Sequence, residues 1–400
     1  MKVRSEVDLP GGAIRDSRLL PIAEKIRSGE RLDRDDAIEL FTTPDILALG
    51  VLADSVNRAL HGDIVTFAAN QHINPTNICI LRRTCVFCGY ARLPKEDGAY
   101  RYTLEQVLAE AEQARDGLIR EFHIVGGLDM KAGLNYYTTM FRALKRAFPH
   151  VHIKALTAVE IAHLARIEKM SWEEVLLALK EAGLDTMPGG GAETFSLAVR
   201  AQIADKKLGG ADYIAIHRTA HRLGIRSNCT MLYGHVETVH DRVEHLEMLR
   251  ALQDETGGFL AYIPLAYHPD DNALGRKLGW EGRSTSGFDD IRNVAVGRLF
   301  LDNIAHIKSH WVMVTPFLSQ TALHFGVNDL EGTVVREKIY HAVGARTPER
   351  LSLEEILRLI REAGKIPAER DSYYRIVRTF ERGEVPGVGT GALSLAGASA

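Results

Sequence analysis

Cys79, Cys85 and Cys88 lie within ten residues of one another, while the remaining cysteine, Cys229, stands alone. A secreted disulfide framework spreads an even set of cysteines along a short chain. Three close thiols in a chain of 400 residues point instead to a metal or redox role. Their segment reads Asn77-Ile-Cys79-Ile-Leu-Arg-Arg-Thr-Cys85-Val-Phe-Cys88, a Cys-x5-Cys-x2-Cys spacing. Three thiolates can hold three irons of a 4Fe–4S cluster and leave the fourth iron open to a substrate or cofactor. The rival chemistry is a zinc site completed by Cys229 or a histidine, because Cys-x2-Cys pairs also bind zinc. Structural zinc wants a closed fourth ligand, and none is near in the sequence. Inert buried cysteines are a third reading, which suits Cys229 as a small core hydrophobe.

Thiolates that converge need a scaffold. From about His72, short apolar or β-branched segments alternate with amphipathic helical ones, which predicts a parallel sheet. The candidate strands are His72 to Asn74, Phe122 to Val125, His152 to Leu156, Asp185 to Met187, Arg226 to Met231, Phe259 to Pro264 and His310 to Val314. Most are about 30 to 40 residues apart, the size of a βαβ unit. Thr103 with Gln106 and Ser171 with Glu174 fit capping boxes at helix starts, and Gly183 and Gly224 sit where helices should stop. Glycine or polar residues follow nearly every strand: Gly126 and Gly127, Thr157 and Glu160, Gly189 to Gly191 with Glu193, then Tyr233, His235 and Glu237. The expected fold class is α/β, a TIM-type (βα) barrel, full or partial, with its active site in those strand-to-helix loops.

Around the barrel, expected over residues 71–345, the pattern predicts a helical N-terminal extension over 1–70 and a C-terminal helical segment over 346–384. Thr347-Pro348, and Ser352 with Glu355, are the candidate caps of that segment. The Gly, Ala and Ser rich tail, 385–400, is expected to be disordered. A formal net charge of −3 with dispersed Lys and Arg offers no broad basic surface for nucleic acid. No apolar run approaches the ~18 residues of a membrane span. Met1 to Ser17 carries charges and a Pro-Gly-Gly turn where an export signal places an apolar segment. A cytoplasmic protein with small-molecule partners, no nucleic acid and no membrane insertion is expected.

Distinctive motifs run from roughly Leu49 to Tyr374. They include His72-Ile-Asn-Pro-Thr-Asn-Ile-Cys79, His123-Ile-Val-Gly-Gly-Leu128, Lys154-Ala-Leu-Thr-Ala-Val-Glu-Ile161 and Met187-Pro-Gly-Gly-Gly-Ala-Glu193. Ser227-Asn-Cys-Thr-Met-Leu-Tyr-Gly-His-Val-Glu-Thr238 and Asp329-Leu-Glu-Gly-Thr-Val-Val335 continue them. With Phe87 just before the last cysteine, the chain resembles the radical S-adenosylmethionine (radical SAM) subgroup of aminofutalosine synthases, dehypoxanthine futalosine cyclases and deazaflavin synthase components. It resembles the aminofutalosine synthases most. The usual signature is Cys-x3-Cys-x2-Cys; a loop longer by two residues still closes at small entropic cost.

The resemblance implies a 4Fe–4S cluster on Cys79, Cys85 and Cys88, whose open iron chelates the methionine moiety of S-adenosylmethionine. Phe87 would lie near the adenine. Gly126 and Gly127 would let backbone approach the methionine group, where a Cβ would block it. Thr157 and Glu160 would supply polar contacts to the cofactor, and Glu193 to cofactor or substrate. Tyr233 and His235, with His268 nearby in type, are candidates for hydrogen bonding or proton transfer at the barrel mouth; each reads equally as a structural residue. The implied reaction adds the 5′-deoxyadenosyl radical to 3-((1-carboxyvinyl)oxy)benzoate, an aryl enolpyruvyl ether, and gives aminofutalosine on the way to menaquinone. A flavodoxin or ferredoxin would donate the electron. Arg292 and Arg298 are candidates for the substrate carboxylates. The sibling alternative abstracts hydrogen and releases 5′-deoxyadenosine.

Overall fold

The computed structural model describes residues 14–282 and 285–381. Among them the strands are β1 (Ile64–Ala68), β2 (Asn70–Ile73), β3 (Glu121–Ile124), β4 (His152–Ala155), β5 (Thr186–Met187), β6 (Arg226–Tyr233), β7 (Phe259–Ala266), β8 (His306–Ile307), β9 (Asp329–Gly332), β10 (Ile366–Arg370) and β11 (Ile376–Thr379). Strands β2 to β8 form one parallel sheet in chain order. Helices cross between them, as a right-handed βαβ succession requires. The predicted capping boxes at Thr103 and Ser171 form, and Gly183 ends its helix in the left-handed region at φ 116°.

Seven strands curl into most of a barrel. The segment that follows the last of them touches both edges: Asp329 bridges Lys308 beyond β8, and Val335 bridges Gln71 in β2. Its backbone bends to do so, with positive φ at Glu331 and Val334. The Asn70 side chain holds this turn, accepting from the Val334 N–H at 2.8 Å and donating to Glu331 at 3.2 Å. The barrel interior near the strand starts is filled by charges rather than by the branched aliphatics usual in such cores. Lys154 meets Glu121 at 2.7 Å, Arg370 meets Asp329 at 2.5 Å, and Ser372 donates to Glu121 at 2.6 Å. Buried charges persist only when paired in this way.

Three expectations change. The 1–70 extension is helical over Leu19–Ser28, Arg34–Thr42 and Ile46–His61, but β1 and the start of β2 follow within it. The C-terminal segment has one helix, Leu353–Glu362, started by the Ser352 capping box; Thr347 instead donates to the Val312 carbonyl, and β10 and β11 come after. These strands join β1 and β9 in a second sheet of order β11-β10-β1-β9. The pairing of β1 with β10 sets Ile64 opposite Ile366, a non-local register that leaves no local periodicity. His310 to Val314, read as the last strand, holds the short helix Trp311–Val314, and the strand is the two-residue β8. The tail 385–400 lies outside the described residues.

Candidate active site

A cavity opens at the carboxyl ends of the parallel strands, bounded by the cysteine loop after β2, the loops after β3, β4 and β5, and inward side chains of β6 and β7. Cys79, Cys85 and Cys88 all line it and are free thiols. Burial pushes the Cys79 thiol up and Cys85 up to about 12, so both are protonated until a metal displaces the proton. Among the described residues no three His, Cys, Asp or Glu side chains are gathered as a cage for one metal ion. A cube, whose thiolates bind three different irons, needs a wider triangle than zinc does. The three free thiols all reach the one cavity, which is the donor set such a cube calls for. Cys229 does not join them: it is fully buried in β6, its thiol facing the Ala261 carbonyl at 3.6 Å.

The glycine pair after β3 is packed against the cysteine loop itself. Gly127 donates to the Thr76 carbonyl at 2.8 Å, and Leu128 accepts from the Ile80 N–H at 3.2 Å. A Cβ on Gly126 would stand 2.8 Å from the Thr76 carbonyl oxygen, and one on Gly127 would overlap the Ile78 carbonyl. Both glycines line the cavity, yet their immediate need for a bare Cα is the neighbouring backbone.

Glu160 ties two of these loops together. One carboxylate oxygen accepts from Gly126 N–H at 2.9 Å, the other from the Thr157 N–H at 2.7 Å and its hydroxyl at 2.8 Å. Burial raises its pKa to about 7 against these hydrogen bonds. A carboxyl whose folded value lies above its ordinary 4.5 stabilises the fold most at low pH. That contribution is lost as pH rises through the folded value. Glu160→Gln, which is neutral throughout, is therefore expected to flatten the fall in stability between pH 5 and pH 8. Urea midpoints of both proteins at the two pH values check this, and parallel slopes would refute it.

Glu193, with φ 52°, receives the Lys207 ammonium at 2.5 Å. Lys207 also stands 5.5 Å from the centre of the Phe87 ring, and all three line the cavity. Nothing in the sequence distinguished Lys207 from Lys206 beside it. The other groups that sequence reasoning missed are Lys308, Glu331, Glu337, His310 and the histidines His72 and His123, all cavity-lining. The signal available was parity along the strands. His72 and His123 hold matching positions in β2 and β3, and polar side chains there must face the barrel interior.

The same parity takes Tyr233 away from the cavity, and the turn after β6 takes His235 away. Asn228, Thr230 and Leu232 of β6 line the cavity, so Tyr233 points to the opposite face of the sheet, where its hydroxyl donates to Asp290 at 2.7 Å. His235 is enclosed outside the cavity, its Nδ1 3.0 Å from Glu237 and its Nε2 3.0 Å from the Leu232 carbonyl. Neither lines the cavity. Arg298 is fully buried and donates to Gly326, Ala305 and Asn328; Arg292 donates to the Thr43 carbonyl. Neither reaches the cavity. His268 does line it, bonded to the Met313 carbonyl at 2.9 Å.

A cysteine-walled cavity at the mouth of a parallel barrel defines a radical SAM enzyme, and residues 73–249 match the model of the radical SAM superfamily. Residues 256–382 match the CofH/MqnC C-terminal region. The chain belongs to the radical SAM family of the aminodeoxyfutalosine synthases. It is 47% identical to the aminodeoxyfutalosine synthase of Thermus thermophilus over 93% of this chain and 99% of that one. Identity to the synthase of Streptomyces coelicolor is 41%, covering 90% and 94%. More distant relatives are a cyclic dehypoxanthine futalosine synthase of Halalkalibacterium halodurans at 34% and a 5-amino-6-(D-ribitylamino)uracil–L-tyrosine 4-hydroxyphenyl transferase of Archaeoglobus fulgidus at 38%. Among solved structures methylornithine synthase shares the fold, with a TM-score of 0.69 at 16% identity, over 87% of this chain and 97% of that one. Family membership implies a 4Fe–4S cluster and S-adenosylmethionine.

Proposed function

We propose that the protein transfers the 5′-deoxyadenosyl group of S-adenosylmethionine to the vinyl carbon of 3-((1-carboxyvinyl)oxy)benzoate, with rearrangement and loss of a carboxyl carbon, to give aminofutalosine. The observation that carries this reading is the higher identity to the synthases, 47% and 41%, than to the sibling cyclase at 34% and the sibling transferase at 38%. Cys79, Cys85 and Cys88 would hold the cluster, which when reduced supplies the electron that splits S-adenosylmethionine into methionine and the adenosyl radical. The other residues bind and shield. Phe87 offers an apolar face for the adenine. Gly126, held by Glu160, and Gly127, held by the Thr76 carbonyl, would present backbone to the methionine moiety. Leu232, Ile263 and Leu265 give the aryl ring a dry wall free of polar hydrogen donors. Glu193 and Lys207 form a charge pair beside the cysteines that can accept the polar groups of either ligand. Catalysis here is mainly positioning, because the cofactor carries the bond chemistry.

A flavodoxin or ferredoxin as electron donor and a cytoplasmic location belong to this reading. No helix among the described residues is long and apolar enough to cross a membrane.

The fate of the adenosyl group tests the proposal. With reduced protein, the enolpyruvyl benzoate and S-adenosylmethionine labelled in the adenosyl carbons, label is expected in aminofutalosine, one equivalent per methionine released. Free labelled 5′-deoxyadenosine as the main product, without an adenosylated adduct, would move the protein to the hydrogen-abstracting siblings.

A further inference from the structure

Below the cysteine loop, inside the strands, the cavity ends in imidazoles. His72 and His123 pair in register across β2 and β3, with ring centres 4.6 Å apart and planes 21° from parallel. His310 lines the same end. The Nε2 of His72 and the Nδ1 of His310 are buried without a hydrogen-bond partner, an unfavourable state that a ligand would relieve.

The charges that face these rings are already committed. From β3 and β4 come Glu121 and Lys154, paired at 2.7 Å. From beyond β8 and from β9 come Lys308 and Glu331, paired at 2.9 Å. From the following segment Glu337 is held by His341 at 2.8 Å. Among the described residues that line the cavity there is no arginine, and both lysines are paired, Lys308 with Glu331 and Lys207 with Glu193. At this end of the cavity the unpartnered ring nitrogens of His72 and His310 are placed to receive an entering anion, and a neutral imidazole offers one N–H where an imidazolium offers two and a compensating charge.

We infer that His72, His123 and His310 form the subsite for a carboxylate of the substrate, and that this trio takes up one proton when the carboxylate binds. The inference rests on the proposed aryl dicarboxylate for its ligand, and on the geometry for its place. Burial lowers the pKa of all three histidines, and His72 further suppresses the charge on His123 and His310. The empty trio is therefore neutral, and the stacked pair holds one added proton rather than two. A carboxylate lodged among them reverses the balance by stabilising the charged form.

The test is calorimetric titration of the cluster-loaded protein with S-adenosylmethionine present and no reductant, so that nothing turns over. Two ligands are used, the enolpyruvyl benzoate and plain benzoate, each in two buffers of different ionisation enthalpy. Uptake of about one proton is expected with either, and affinity should fall about tenfold per pH unit while that uptake is complete. His72→Gln and His310→Gln should each bring uptake near zero and weaken binding at least about tenfold. Binding to the unaltered protein without proton uptake, no binding of either ligand, or uptake unchanged in both variants would each overturn the inference. The two readings fail separately. Benzoate bound with proton uptake, but no turnover of the enolpyruvyl benzoate, leaves the subsite standing and removes the synthase assignment. Turnover without proton uptake does the opposite.

Discussion

Alanine at any one of Cys79, Cys85 or Cys88 is expected to reduce turnover to background and to lower iron and sulfide per chain. In the proposed site each thiolate would bind its own iron, and a cube held by only two ligands at the mouth of an open cavity would be lost. The six-residue step from Cys79 to Cys85 makes Cys79 the decisive variant, since it is the proposed ligand displaced from the usual spacing. Cys229→Ala should keep full iron content and activity, at a stability cost of about 1 kcal/mol for a small core void. Anaerobic reconstitution followed by iron analysis and visible absorbance decides the matter. A Cys79→Ala protein with a full cluster and full turnover would end the assignment.

Gly127→Val should be nearly as damaging, and for a reason the sequence alone does not supply. A bare Cα that only made room for the methionine moiety would, when filled, weaken cofactor binding and leave the cluster intact. The structure puts the Ile78 carbonyl where the added side chain would go, and Ile78 precedes the first cysteine. Backbone cannot yield as a flexible side chain can, so the loop must move and take Cys79 with it. The expected result is loss of most of the iron as well as of S-adenosylmethionine affinity, with an overpacking cost of about 1–3 kcal/mol. Gly127→Ala should show the same pattern in lesser degree. Full iron content with only cofactor affinity lost would restore the simpler role of Gly127.

Local chemistry was legible in the sequence wherever it was written in consecutive residues. The cysteine loop, the glycine runs, the capping boxes and the βα alternation each depend on neighbours within a few positions, and each stands where it was expected apart from the last strand, which is His306–Ile307 rather than His310 to Val314. What depended on register was not legible. Tyr233 and His235 follow a strand, as active-site residues do, but one residue of parity sends Tyr233 to the far face of β6 and a turn closes His235 against Glu237. Lys207 reaches Glu193 only through the fold. The histidine pair needed both β2 and β3 to be placed before two separate motifs became one surface. β10 and β11 were missed because their partner β1 lies near the other end of the chain.

That last pairing governs how the molecule can come into being. β1 finds β10 only after nearly all of the chain exists, and the turn after β9 bridges the two sheet edges only when β2 and β8 are both formed. Contacts of such long sequence separation form slowly and late. During synthesis the emerging barrel must wait with its edge strand β2 exposed and with Glu121 lacking the Arg370 and Ser372 that later surround it. The completed cysteine-bearing half is thus exposed to aggregation until residues near 370 leave the ribosome. A chain cut before β10 would keep all three cysteines of the loop and still lack the means to close the vessel around them.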